Sequence, residues 1–223
     1  MTFLELVQAL HRESGAGGPP PSTVVNQIGE ANRLVNWVRD ADEQIQERWH
    51  DWRFLWSDDF SATTTAGTAT ISVPDTVADW DRDTFKINGD QKMVVEDYFD
   101  VRGSIFYTDQ QMQPYRVIIR PDDNNLQLDP VPDDAYTITA DYYRKPVKLQ
   151  NDSDVSRIPE RFHRAIIGQA LLFYGSYENS EDVVANAKFI LEDMMKALEA
   201  NQRPKSRENL LGAGSLIQVR TPR

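Results

Sequence analysis

The hydrophobic period of this chain changes twice. From Ala31 to Ile45 apolar residues recur at steps of three and four, from Tyr136 to Tyr142 they fall on every second residue, and from Phe162 to Tyr177 the helical step returns. A period near 3.6 sets one face of a helix and a period of two sets one face of a strand. The stretch Ala140 to Ser180, ADYYRKPVKLQNDSDVSRIPERFHRAIIGQALLFYGSYENS, is the seam between the second and third regimes. The chain is therefore α+β. The expectation is a helical bundle, made of a long helix and a C-terminal helical hairpin, with an inserted antiparallel β-sandwich or barrel-like region and an extended C-terminal arm. The expected boundaries are 1–56 for the first helices, 57–145 for the β region, 146–202 for the hairpin and 203–223 for the arm.

Thr2 followed by Glu5 has capping-box spacing, and Phe3, Leu6, Val7 and Leu10 share a face, which predicts a helix from Thr2 to Arg12 ended by Ser14-Gly15. Gly15 to Gln27 carries three consecutive prolines and reads as an ordered or semi-ordered loop. Ala31, Leu34, Val38, Ala41, Ile45 and Trp52 then follow a repeat close to 3.5, with Arg48 interrupting it. Trp37, Trp49, Trp52 and Trp56 add apolar area to its second half and are read as core rather than as a sugar-stacking platform.

From Phe60 the signals are those of strands. Ala66-Gly67 sits inside SATTTAGTATISVP, Asn88-Gly89 separates two apolar runs, and a third turn falls at Asp122 to Asn125. Each predicts a hairpin. AYTITADYY places Tyr136, Ile138, Ala140 and Tyr142 on one face, and DYFDVRGSIFYTDQQ fits either a helical turn or an irregular loop. Lys145-Pro146 stops the last strand. Ile158-Pro159-Glu160 predicts a helix with Pro at its first position, apolar at Phe162, Ile166, Ala170, Phe173 and Tyr177 and expected to pack on Leu34, Val38 and Ile45. Ser180 is the expected cap of a second helix carrying Val183, Val184, Ala187, Ile190, Leu191, Met194 and Leu198, so the two form an antiparallel hairpin.

The last 21 residues differ in charge and pattern. Arg203, Lys205, Arg207, Arg220 and Arg223 against Glu208 give +4, which leaves −15 on residues 1–202 of a chain whose net charge is −11. Leu210, Leu211, Leu216, Ile217 and Val219 have no helical period. Two readings follow, a frayed terminus or an arm that orders on a partner. The acidic body argues against tightly held nucleic acid, which needs clustered Lys and Arg, but not against a wall that DNA slides past. The N-terminus lacks the basic and long apolar regions of a signal peptide, and no apolar run reaches membrane-spanning length.

The sequence marks no catalytic, cofactor-binding or metal site. There is no cysteine, no HExxH, no nucleophile elbow and no phosphate-binding glycine loop. His11, His50 and His163 fall on three separate predicted helices and are expected at surfaces or interfaces. Asp79, Asp81, Asp83 and Asp90 imitate calcium-loop spacing, but the sixth position is Thr84 and the twelfth is Asp90, where Gly and Glu are required. Carboxylate pairs for glycoside cleavage are numerous and none is singled out. On residues alone the chain is a soluble assembly or binding protein; a peptidoglycan glycosidase or a carbohydrate-binding module using Trp80 are the alternatives.

The order of parts carries a resemblance. TFLELVQAL, GEANRLVNWVRDADEQIQERWHDWRFLW, and ADYYRKP…IPERFH…AL..YG, around a β insertion, resemble the head-to-tail adaptor (connector) proteins of tailed bacteriophages. The matching pieces cover about half the chain, at its two ends. The resemblance implies no enzyme activity and no cofactor. It implies a ring, usually twelvefold, that binds the portal protein, meets the next tail or nozzle component and lets DNA pass through its channel. It places the protein in the virion neck and, during assembly, in the host cytoplasm. It also implies a portal-binding C-terminal arm, here Arg207, Leu210, Leu211, Leu216, Ile217, Val219 and Arg220.

Overall fold

The computed structural model describes residues 1–103, 111–121 and 125–203. In chain order these form α1 (Phe3–Ser14), α2 (Gly29–Glu47), β1 (Trp56–Thr63), β2 (Thr70–Ile71), β3 (Val77–Trp80), β4 (Lys86–Ile87), β5 (Gln91–Lys92), β6 (Val94–Asp97) and the single-turn α3 (Tyr98–Val101). Then follow β7 (Arg116–Ile119), β8 (Leu126–Asp129), β9 (Thr137–Arg144), α4 (His163–Glu178) and α5 (Glu181–Gln202). The fold is α+β, as the two changes of period require.

Helix α1 starts on a complete capping box: Glu5 N–H donates to Thr2 Oγ1 and Thr2 N–H donates to Glu5 Oε2 at 2.8 Å. It ends where Gly15 takes a left-handed φ of 69°. Helix α2 stops at Glu47, short of the predicted Trp52. The reason is tertiary. Trp52 turns back under the helix end, is fully buried, and donates its indole Nε1–H to the free carbonyl of Ile45 at 3.1 Å. His50 therefore lies beyond the helix rather than on it. Of the tryptophans read as core, Trp52 is buried, Trp37 and Trp49 pack partly buried on the helical core, and Trp56 is exposed at the start of β1.

The β region is a sandwich of two sheets. One has the order β1-β9-β4-β5 with β3 also on β9, and the other β2-β8-β7-β6. The Asn88-Gly89 hairpin joins β4 to β5, with φ of 53° and 89° at the turn. The third predicted hairpin is β7–β8. The turn at Gly67 exists, but its flanking strands do not pair with each other. Instead β1 pairs with β9 and β2 with β8, so the chain switches sheets there. The sheets are also not wholly antiparallel, because β6 runs parallel to β7 from Val94↔Arg116 to Asp97↔Ile119. A parallel pair needs a long crossover, and the ambiguous stretch DYFDVRGSIFYTDQQ, residues 97–111, falls at it, its residues 104–110 lying outside the described residues. Ile138, Ala140 and Tyr142 are buried as their alternation predicts, and Trp80 stands among Phe60, Phe85 and Tyr142 at 4.8–5.9 Å.

The helical core joins both ends of the chain. Leu34, Val38 and Ile45 of α2 share a buried cluster with Phe162, Ile166 and Ala170, and Phe173 packs at its edge. Pro159 precedes a 3₁₀ turn, Glu160–Phe162, rather than opening α4 itself. Ser180 does hold the N-cap position of α5, through its backbone carbonyl, which accepts from Val184 N–H, and not through its side chain. Helices α4 and α5 approach at two glycines a heptad apart. A Cβ on Gly168 would stand 3.2 Å from Leu191 N, and one on Gly175 would stand 2.8 Å from Val184 Cγ2 and 3.1 Å from Val184 N.

Candidate assembly surfaces

The seam is a knot rather than a plain polar loop. Arg39 of α2 donates its Nε–H to the Leu149 carbonyl at 2.7 Å, and Lys148 pairs with Glu43 at 3.1 Å. Asp152 accepts from Val24 N–H at 2.5 Å and from Thr23 Oγ1 at 3.0 Å, which pins the end of the proline loop. The first turn of α1 donates backbone N–H groups to the carbonyls of Asp154 and Asp152, and Thr2 bridges Val155. Asp154 itself accepts from Gln150 and Asn151 N–H, which holds its carboxyl below the usual range. The stretch from Lys148 to Val155 thus fixes α1, the proline loop and α2 to the segment that leads into α4.

Below it lies a buried polar cluster. Asp42 of α2 is 1% exposed; Ser156 Oγ donates to its Oδ1, and Gln46 Nε2 donates to its Oδ2 at 2.8 Å. Burial pushes its carboxyl up to about 6, against the lowering effect of the Ser156 and Gln46 hydrogen bonds. His163 is fully buried, not at a surface as expected from sequence, because the 3₁₀ turn carries it inward. It makes a 2.8 Å hydrogen bond to the Ile158 carbonyl, which can only accept, so Nε2 holds the proton. Its Nδ1 faces no partner among the described residues, and burial pushes its pKa down. His11 is half-buried and His50 exposed, 3.9 Å from Asp79, so the three histidines do not converge.

Chemistry suggested by other residues does not assemble among the described residues. A glycosidase acid needs both a raised pKa and access to a polymer, and Asp42 has only the first. Asp141 is also shifted up, by desolvation and the nearby Asp81 carboxylate. Asp81 and Asp83 are turn-forming: Asp81 Oδ1 accepts from Asp83 N–H, and Asp83 pairs with Lys92 at 3.1 Å. Among the described residues no cluster of His, Asp or Glu is arranged to hold a metal ion. Trp80, which a sugar platform would need at the surface, is 4% exposed.

Apolar side chains do reach solvent on the helices and on the second sheet. Ile28 at the start of α2 is 86% exposed and Phe189 on α5 is 76% exposed, while Val94, Phe99, Met112 and Tyr115 are exposed around the β6 edge. Helix α5 ends at Gln202, and the guanidinium of Arg203 stacks 3.9 Å from the centre of the Trp49 ring. Glu199 accepts from Trp49 Nε1 at 3.4 Å and pairs with Arg48 at 3.3 Å, so the last turn of α5 is fixed to the residues that follow α2. Arg207, Leu210, Leu211, Leu216, Ile217, Val219 and Arg220 lie outside the described residues.

A bundle knotted from both chain ends, a β region between them and surface apolar residues suit a part built to be assembled. The family model for the SU10 adaptor protein matches residues 1–212. The chain belongs to the SU10 adaptor protein family. The match spans the helical body and the β region together, and it agrees with the resemblance to phage head-to-tail adaptors. No curated protein matches the chain significantly. Among the described residues of this SU10 adaptor family member, no helix is long and apolar enough to cross a membrane. Residues that sequence reasoning missed are Asp42, Gln46, Ser156 and the glycine pair at 168 and 175. Only the heptad spacing of the glycines offered a signal.

Proposed function

We propose that the protein is the connector ring subunit of a tailed phage, joining the portal to the next tail component around the DNA channel, as a structural part rather than an enzyme. The observation that carries this reading is the adaptor family match across both the helical and the β segments. The ring, twelvefold by the resemblance, sits in the virion neck. Ile28, Tyr177 and Phe189 give the helices apolar contacts for neighbouring subunits. Residues 1–202 carry −15, which repels duplex DNA and favours passage over binding.

In this reading residues 1–56 and 146–202 are the ring body, and 57–145 is an insertion facing the tail component. The segment 203–223 is the portal-binding arm, with Leu210, Leu211, Leu216, Ile217 and Val219 seated on the portal and Arg207 and Arg220 pairing with its carboxylates. Mixing the protein with its portal should give a closed ring on the portal by electron microscopy. Deleting residues 204–223 should abolish that association while thermal unfolding stays cooperative. Undiminished association of the truncated chain would remove the arm from this role, and no association of the full chain would end the adaptor reading.

A further inference from the structure

The surface between α2 and α4 carries a groove that the bundle leaves unfilled. Two adjoining hollows of about 370 and 290 Å³ share Gln44 and Glu47 in their walls. The first is floored by Trp37 and Phe173, the second by Ile45, Leu191 and Met195. Asp40, Glu43 and Glu47 stand along the rim. Glu43 is taken by Lys148, but Asp40 and Glu47 have no ion-pair partner among the described residues. Arg48, the cation at the lower end, is occupied by Glu199.

The chain itself supplies a segment of complementary chemistry at the mouth of this groove. Arg203 stacks on Trp49, which shares Glu199 with Arg48, a wall residue of the lower hollow. The 20 residues that follow carry five aliphatics, four cations and one acid. From Glu47 to Trp37 the groove runs about 15 Å along the helix, and the eight residues from Arg203 to Leu211 reach at most about 29 Å when extended. Tethering so close gives an effective concentration in the millimolar range, enough to hold a weak site.

We propose that this groove is the docking site of the chain's own C-terminal segment, residues 204–223, in the free subunit. Its leucines lie on the Trp37–Met195 floor, and its Lys and Arg face Asp40 and Glu47. A partner that takes the arm must first displace it, so the groove masks the arm before assembly. The inference stands whether or not a portal is that partner.

The absence of cysteine allows a direct test on the full-length chain. With Gln44→Cys and Leu211→Cys, mild oxidation should give an intramolecular disulfide about tenfold faster than the same tail cysteine paired with Lys196→Cys, an exposed position on α5 about two helical turns before Arg203 and outside the groove. Adding Asp40→Lys and Glu47→Lys should slow the Gln44 cross-link several-fold, as should 1 M salt, where the Debye length is about 3 Å. Equal rates at positions 44 and 196 would overturn the proposal. A cross-linked dimer as the main product would also overturn it, assigning the groove to a second copy's arm. Insensitivity to the two lysines would overturn the charge pairing.

Discussion

The helical core draws its side chains from residues 3–55 and 149–198, whereas the β core is assembled entirely from residues 60–142. The first encloses a carboxyl and an imidazole, Asp42 and His163, together with Gln46 and Ser156; among the described residues the second encloses neither, its buried polar side chains being neutral ones such as Gln127, Thr64 and Tyr142, while Arg116 pairs with Glu96 and Asp129 in partly buried positions. The difference follows from connectivity. Two segments separated by the whole β region must find one register, and a hydrogen-bonded polar cluster specifies that register where apolar contacts alone would not. Strands specify theirs by ladder and alternation.

The largest effects should come from removing the central tryptophan of each core, about 3–5 kcal/mol apiece. Trp52→Ala leaves a cavity and frees the Ile45 carbonyl, so hydrogen exchange should accelerate through α1, α2 and α4. Trp80→Ala should accelerate exchange in β1, β3 and β9 while α4 and α5 stay protected. If both variants loosen both regions alike, the two cores form one cooperative unit and the comparison fails.

Asp42→Asn is the next largest. The folded protein holds the Asp42 proton more tightly than the unfolded chain. The stability it contributes is therefore complete below pH about 4 and lost as pH rises through about 6. Removing the charge should stabilise the protein by about 2–3 kcal/mol at pH 8 and change little at pH 4. Gln46 can turn its unpartnered Oε1 toward the new amide. Urea midpoints at the two pH values measure this. His163 acts in the opposite sense, losing stability as pH falls below about 6.5, and cancels between wild type and variant. A variant less stable at pH 8 would mean the carboxylate is worth more to the register than its burial costs.

Gly175→Val is the smallest of the three. The added Cβ meets Val184 backbone, which cannot rotate away as a side chain can, and overpacking of this kind costs about 1–3 kcal/mol. Unfolding midpoints should fall accordingly, with exchange accelerating in α5 but not in the sheets. An unchanged midpoint would show that α5 shifts freely on α4.

Several features were legible because their causes are local. The capping box at Thr2 and Glu5, the Asn88-Gly89 turn and the alternation from Ile138 to Tyr142 depend on residues within one turn or one strand of each other. The chain also carried its family resemblance in the order of its parts. Features set by how the chain packs, rather than by its period or turn signals, were not legible. Strand β2 pairs with β8 rather than with its neighbour β1 because sheet choice depends on where residues 116–129 lie. Helix α2 ends at Glu47 because Trp52 folds under it, against a hydrophobic repeat that continues to position 52. His163 is buried because a 3₁₀ turn intervenes after Pro159.

By itself the sequence determined the helix–strand–helix order, the residues of both apolar faces and the contrast between a −15 body and a +4 tail. Period and charge are additive along a chain, so they can be read without coordinates. Only the tertiary structure decided that the seam closes the bundle as a knot around Asp152 and Asp154, that β6 lies parallel to β7, and that an apolar groove, whose Asp40 and Glu47 have no ion-pair partner among the described residues, opens near Arg203. Each joins residues tens of positions apart, and their proximity follows from how the elements pack rather than from any local preference.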